Sequence, residues 1–187
     1  MLQKLSRKFH SWAKGWTVFV LMLLDLFFMG FVMPLIGGLL KNGTSAQQPM
    51  DMQFFSTPAK LFAMVESYGE FGRPFYRSVE LTVDILYPVI YMLAFGLFIS
   101  WLFQRGFKPE SKMQKWNALP VGIWLFDMLE NLGIVTLLST FPAQMTAVAW
   151  LTTIFTMVKW MFAGASMLLI VVGLVMAAKN GFRKRES

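Results

Sequence analysis

The chain has no cysteine and a single histidine, His10, among its 187 residues. Without thiols there is no disulfide framework, no thiolate metal site and no cysteine nucleophile. With one histidine, a His-ligated haem, a histidine zinc site and a serine–histidine–aspartate triad all lack their parts. No glycine-rich phosphate loop occurs. An all-oxygen metal site from Asp84, Asp127 and Glu130 is permitted by residue type but not favoured by spacing, so no metal and no cofactor are expected. Charge is also scarce, at 14% of the chain, and acids are the rarer sign, with 10 Asp and Glu against 17 Lys and Arg.

Apolar residues are abundant: 56% of the chain is hydrophobic and the mean hydropathy is +0.55. They come in four blocks, 16–40, 75–103, 119–141 and 145–178, each long enough to cross the hydrocarbon core of a bilayer. The pattern predicts an all-α fold, a four-transmembrane-helix antiparallel bundle forming one integral membrane domain over residues 1–187. The short link at residues 140–143 makes the third and fourth helices antiparallel neighbours. Pro34 and the pair Gly37 and Gly38 mark a bend or an end of the first helix before Lys41.

Residues 41–74 form the one sizeable loop outside the membrane. Within it, Thr57 followed by Pro58 has the form of a helix start, a hydroxyl cap ahead of a first-turn proline. Leu61, Phe62, Val65 and Tyr68 then share a face opposite Lys60, Glu66 and Ser67, with Gly69 or Gly72 as the stop. A short amphipathic helix is therefore expected on the outer surface, either as a lid over the membrane or as a linker resting on lipid.

Basic residues give the orientation. Lys4, Arg7, Lys8 and Lys14 precede the first block, Arg105, Lys108, Lys112 and Lys115 join the second and third, and Lys179, Arg183, Lys184 and Arg185 follow the fourth. All three clusters fall on one side of a four-crossing chain, which places both termini in the cytoplasm. The net charge of +7 reads as a topology signal and an attraction to anionic lipid headgroups, with no nucleic-acid partner. His10 and Trp12 lie in a basic lead-in expected to rest on the inner leaflet, and Trp12, Trp16, Trp101 and Trp116 suit an interfacial aromatic belt. The first block is too long for a secretion signal and is read as a retained anchor, despite Thr44-Ser45-Ala46 as a loose cleavage site. The glycosylation pattern Asn42-Gly43-Thr44 is read as chance.

Three blocks carry polar residues three and four apart, on one side of each helix. The second has Arg77, Glu80, Asp84, Tyr87 and Tyr91; the third has Trp124, Asp127, Glu130 and Asn131; the fourth has Thr152, Thr156, Lys159 and Ser166. At about 1.5 Å of rise per residue, Asp84 lies roughly 12 Å in from the outer helix ends, Tyr87, Glu130 and Asn131 roughly 15 to 17 Å, and Lys159, Asp127, Asp25 and Tyr91 roughly 20 to 23 Å. One layer thus collects four carboxyls against a single ammonium, Lys159. Buried ions are costly, so some of these carboxyls must be protonated, hydrated or neutralised by a bound cation. The plainer alternative pairs Lys159 with Glu130 or Asp127 and uses the remaining groups as interhelical hydrogen bonds, each on the order of 1 kcal/mol. Asp25, the one ionisable residue on its helix, is the member best suited to a purely structural role. Arg73, Arg77 and Glu80 form an outer rim where snorkelling accounts for them.

Gly72-Arg73-Pro74-Phe75-Tyr76, Asp84 with Tyr87-Pro88, and Phe126-Asp127-Met128-Leu129-Glu130-Asn131 resemble motifs of uncharacterised bacterial four-helix integral membrane proteins, over roughly residues 51 to 159. The resemblance implies that architecture and a bacterial inner (plasma) membrane, and no activity. Four helices around midplane carboxyls are also similar in architecture to the sterol-isomerase and sigma-2-receptor family, whose acidic pockets bind cationic amphiphiles.

Three readings follow. In the first, Asp84, Asp127 and Glu130 bind or relay a proton, a small cation or the positive head of an amphiphile, with Lys159 setting the charge and Tyr87, Tyr91 and Asn131 orienting them. In the second, the same carboxyls are general acid and base of an enzyme acting on a lipid or isoprenoid. In the third, the chain is an accessory subunit that joins a membrane-protein partner or its own copies, with Ala163, Gly164 and Gly173 allowing close packing. Whether it catalyses anything is left open.

Overall fold

The computed structural model describes residues 2–42 and 48–183, all of them helical or in short connections, with no strand among them. The glycosylation pattern and the cleavage-like stretch of residues 42–46 run outside the described residues. An amphipathic helix, α1 (Leu2–Trp12), leads into the first long helix, made of α2 (Gly15–Phe27), a π-helical turn at Phe28–Val32 and α3 (Met33–Asn42). A 3-10 turn at Met50–Met52 and a short helix, α4 (Pro58–Ser67), come next. Then follow α5 (Gly69–Glu80), α6 (Val83–Gly106), a 3-10 segment at Lys112–Ala118, α7 (Pro120–Thr140) and α8 (Thr146–Arg183). Four stretches, Gly15–Lys41, Gly69–Gly106, Lys112–Thr140 and Thr146–Gly181, are long and apolar enough to cross a membrane. The protein is a polytopic integral membrane protein.

Prolines shape two of these spans. Pro34 has no N–H, and its ring crowds the carbonyl of Gly30 four residues back. The helix responds by widening, with the Met33 N–H bonding the Phe28 carbonyl five residues earlier. So Pro34 bends the first span without ending it, and α3 continues to Asn42.

The second span begins earlier than hydropathy suggests and is interrupted. Gly69, at φ +62°, stops α4 and starts α5. Gly72, Arg73 and Pro74 therefore lie inside α5 rather than in the loop. After Glu80 the ladder breaks: Thr82 N–H reaches Val79 O at 3.1 Å and Ile85 N–H reaches Thr82 O at 3.3 Å, both three residues apart.

The chain forms two compact units. The first comprises Met1–Asp25, Ile90–Ile123 and Met161–Ser187, and the second Leu26–Val89 and Trp124–Trp160. In the first, Gly173 leaves room for Leu102 and Phe103, and Gly106 for Met176, so α6 and α8 pack closely and run parallel there. Gly173 is thus filled from within the chain, while Gly164 has no neighbour within 4 Å. Neutral polar bonds tie this unit together. Asn117 Nδ2 donates to Ser100 Oγ at 2.8 Å and to the Ser6 carbonyl at 3.0 Å. Gln104 Nε2 donates to the His10 carbonyl at 2.8 Å, and His10 Nε2 lies 2.9 Å from the Gln114 carbonyl. These bonds, with Phe9 buried against Gly96, dock α1 onto the rest of this unit. Trp12, Trp16 and Trp116 are exposed as a belt requires, whereas Trp101 is half-buried, its ring 3.7 Å below the Arg105 guanidinium.

In the second unit, α4 buries Leu61, Val65 and Tyr68 in a core shared with Leu40, Met50, Tyr76, Val79, Ile134, Leu137 and Ala149. The start signal is used as expected, with Thr57 Oγ1 accepting the Lys60 N–H at 3.3 Å. The apolar face of the helix packs on this core. Thr153 Oγ1 donates to the Ser56 carbonyl at 2.8 Å and pins the approach to α4. Large apolar side chains elsewhere on the spans, such as Phe27, Phe31, Met161 and Leu168, stay exposed. A lipid environment covers such residues where water does not.

Candidate functional site

In the second unit, α7 and α8 run antiparallel in close register. Gly133 admits Thr152, Glu130 meets Thr156, and Asp127 meets Lys159, the numbers falling along one helix as they rise along the other. A Cβ at position 133 would collide with the Thr152 hydroxyl, so glycine there permits the approach that brings the charged residues together.

Lys159 is buried and pairs with two carboxyls. Its Nζ lies 2.9 Å from Asp127 Oδ1 and forms a second ion pair with Glu130 Oε2. Glu130 is fully buried and Asp127 nearly so. Thr156 Oγ1 stands 2.7 Å from Glu130 Oε1 and 2.9 Å from the Thr152 carbonyl, so its one proton serves either acceptor at a time. The Trp160 ring centroid lies 5.8 Å from the ammonium.

Asp84 and Asn131 are joined through a proline. Pro88 cannot donate to the carbonyl four residues before it, which is that of Asp84. Asn131 Nδ2 fills the gap at 2.7 Å. The side chain beside Glu130 thereby fixes the backbone that carries the buried Asp84. Tyr87 stacks on Phe28 with centroids 5.4 Å apart and planes 8° from parallel.

Not every residue expected in this layer belongs to the second unit. Asp84, Tyr87, Asp127, Glu130, Asn131 and Lys159 do, while Asp25 and Tyr91 belong to the first. Asp25 is buried there, and the Tyr91 ring lies 6.5 Å from that of Phe95. The rim also divides. Arg77 is exposed, and Arg73 places its guanidinium 4.0 Å over the Phe141 ring. Glu80 does not snorkel, being only 1% exposed.

Two residues escaped the sequence reading. Tyr76, buried in α5, donates its hydroxyl proton to Asp51 Oδ1 at 2.7 Å and accepts the Met50 N–H at 3.1 Å. Tyr68 packs edge-on against it at 5.2 Å and donates to the Gln48 carbonyl at 3.2 Å. Burial pushes the Tyr68 phenol well above its ordinary range, and the carboxyls of Asp51 and Glu80 push the same way. The available signal was the four-residue step from Tyr76 through Glu80 to Asp84; nothing in the sequence pointed to Asp51.

Two cavities lie elsewhere. One of about 420 Å³ is lined by Pro58, Phe62, Glu66, Leu137, Phe141 and Thr146, and one of about 220 Å³ by His10, Gln104, Phe107, Pro109 and Gln114. Neither is lined by Asp84, Asp127 or Glu130. Among the described residues, no three Asp, Glu or His side chains converge as a metal ion would require. No family model matches this chain, nor does any curated protein or solved structure. The resemblance to bacterial four-helix membrane proteins accordingly rests on its short motifs alone.

Proposed function

We propose that the buried carboxylate–lysine site of this membrane protein holds and relays a proton, with Asp127 and Glu130 as acceptors and Lys159 as fixed countercharge. One observation carries the reading: a single ammonium faces two buried carboxyls. With both ionised the trio keeps an uncompensated negative charge, and Asp84 nearby adds another. An uncompensated ion in a low-dielectric site costs several kcal/mol. A proton is the smallest species that removes it.

A small cation or the positive head of an amphiphile would neutralise the same charge but needs more room than a proton. An enzyme on a lipid or isoprenoid must in addition seat its substrate. Thr156 orients the Glu130 carboxyl, and Asn131 holds the backbone that carries Asp84. The basic clusters around residues 4–14, 105–115 and 179–185 support cytoplasmic termini, with the 41–74 segment on the opposite side.

The test uses purified protein in liposomes enclosing a pH-sensitive dye, under a potassium diffusion potential. Wild type is expected to pass protons faster than protein-free vesicles. Glu130→Gln should lower the rate by about tenfold or more while the helical circular dichroism stays unchanged. Wild-type flux equal to that of empty vesicles, or flux of sodium in place of protons, overturns the reading.

A further inference from the structure

Glu80 is a buried acid whose polar neighbour on its own helix is the Tyr76 hydroxyl. It is 1% exposed, and neither Oε1 nor Oε2 has a hydrogen-bond partner among the described residues. The Tyr76 hydroxyl lies beside it, but that hydroxyl gives its one proton to Asp51 and takes the Met50 N–H. No lysine or arginine forms an ion pair with Glu80 among the described residues. A buried carboxyl in that condition is destabilising unless its use is chemical.

Its neighbours form a series. Asp51 is half-buried in the loop segment, Tyr76 is buried two turns into α5, Glu80 follows four residues on, and Asp84 four residues after that, across the break at Leu81 and Thr82. Asp51, Asp84 and Glu130 are near enough to act on Glu80 electrostatically, and Glu80 acts in the same way on the phenols Tyr68 and Tyr76. Asp84 in turn feels Asp51, Asp127, Lys159 and Glu130. Tyr76 and Glu80, four residues apart on α5, lie about 5–6 Å from Cβ to Cβ, within reach of each other directly or through one water. The helix break falls between Glu80 and Asp84, so the next step is made across it.

We propose that Asp51, Tyr76, Glu80 and Asp84 form the entry path by which protons from the side bearing the 41–74 segment reach the Asp127–Glu130–Lys159 site, with Glu80 as the obligatory intermediate carrier. The inference rests on the proton reading above. Each transfer is balanced. An incoming proton binds the Asp51 carboxylate, and the Tyr76 hydroxyl passes one proton to Glu80 as it receives one from Asp51. Glu80 then protonates Asp84, and Asp84 protonates Glu130. No other co-reactant is needed.

The experiment measures proton flux in the dye-loaded liposomes for wild type, Glu80→Gln, Glu80→Asp, Tyr76→Phe and Glu130→Gln. Glu80→Gln, which keeps the shape and removes the titratable group, should lower flux about tenfold. Glu80→Asp should recover part of it, and Tyr76→Phe should lower it while its ring still packs on Tyr68. Should Glu80→Gln fail to fold, the Tyr76→Phe and Glu80→Asp rates decide the matter. If wild type conducts and Glu130→Gln blocks it, but Tyr76→Phe and the folded Glu80 variants conduct as wild type does, the entry path is wrong and the site itself stands. If wild type conducts no better than empty vesicles, both fall together.

Discussion

The first unit joins its helices with amides and hydroxyls, the second with carboxyls and an ammonium. Asn117 alone links α1, α6 and the segment before α7 through two neutral bonds, and glycines at 106 and 173 bring α6 and α8 into contact. That is enough to lock these helices, and none of the groups in these bonds carries a charge, although the acid Asp25 is buried in the same unit. The second unit achieves a comparable approach at Gly133, then places Asp127, Glu130 and Lys159 along the same seam and Glu80 nearby without a partner. Since the neutral solution serves one half of the protein, the charged one in the other half exceeds what packing requires. The excess is the physical case for function.

The comparison predicts a graded set of effects on thermal unfolding in detergent. Lys159→Met should be the most damaging, at about 3–5 kcal/mol, because it strands two buried carboxyls. Adding Asp127→Asn and Glu130→Gln to it should restore most of the loss, and a triple variant as unstable as the single one would show that the ammonium matters for shape and not for charge. Asn117→Ala should cost less, about 1–3 kcal/mol, by leaving the Ser6 carbonyl and the Ser100 hydroxyl short of a donor. It should leave proton flux per folded molecule unchanged, and a lowered flux would erase the distinction between the units. The smallest effect concerns the proline gap. Asn131→Ala should cost about 1 kcal/mol with Pro88 present and less with Pro88→Ala, where the helix supplies the missing donor to Asp84. Additive losses would mean that the Asn131 bond does not compensate Pro88.

Much of this was legible along the chain. The four spans follow from runs of apolar residues, since the backbone of a membrane segment must satisfy its own hydrogen bonds as helix. Thr57 with Pro58 marked α4, and the three-and-four spacing placed Asp127 and Glu130 on one side of α7. The Asp84–Pro88 step was also present, but it acquires meaning only beside Asn131. Depth was less legible. Counting from span ends put Glu80 at a wet rim, because the count could not see that residues 48–68 fold onto α5 and cover it. Unit membership is a separate property that the count does not address: the fold groups Asp25 and Tyr91 with the first unit and Lys159 with the second.

The sequence by itself determined that this is an all-helical protein with four membrane-length helices, and which faces of them are polar, because hydropathy and helical period are properties of neighbouring residues. Only the tertiary structure decided which carboxyls share the one lysine, that Tyr76 reaches Asp51, and that Glu80 is sealed without a partner. Those are contacts between residues far apart in the chain, and burial depends on what the rest of the molecule lays over a side chain.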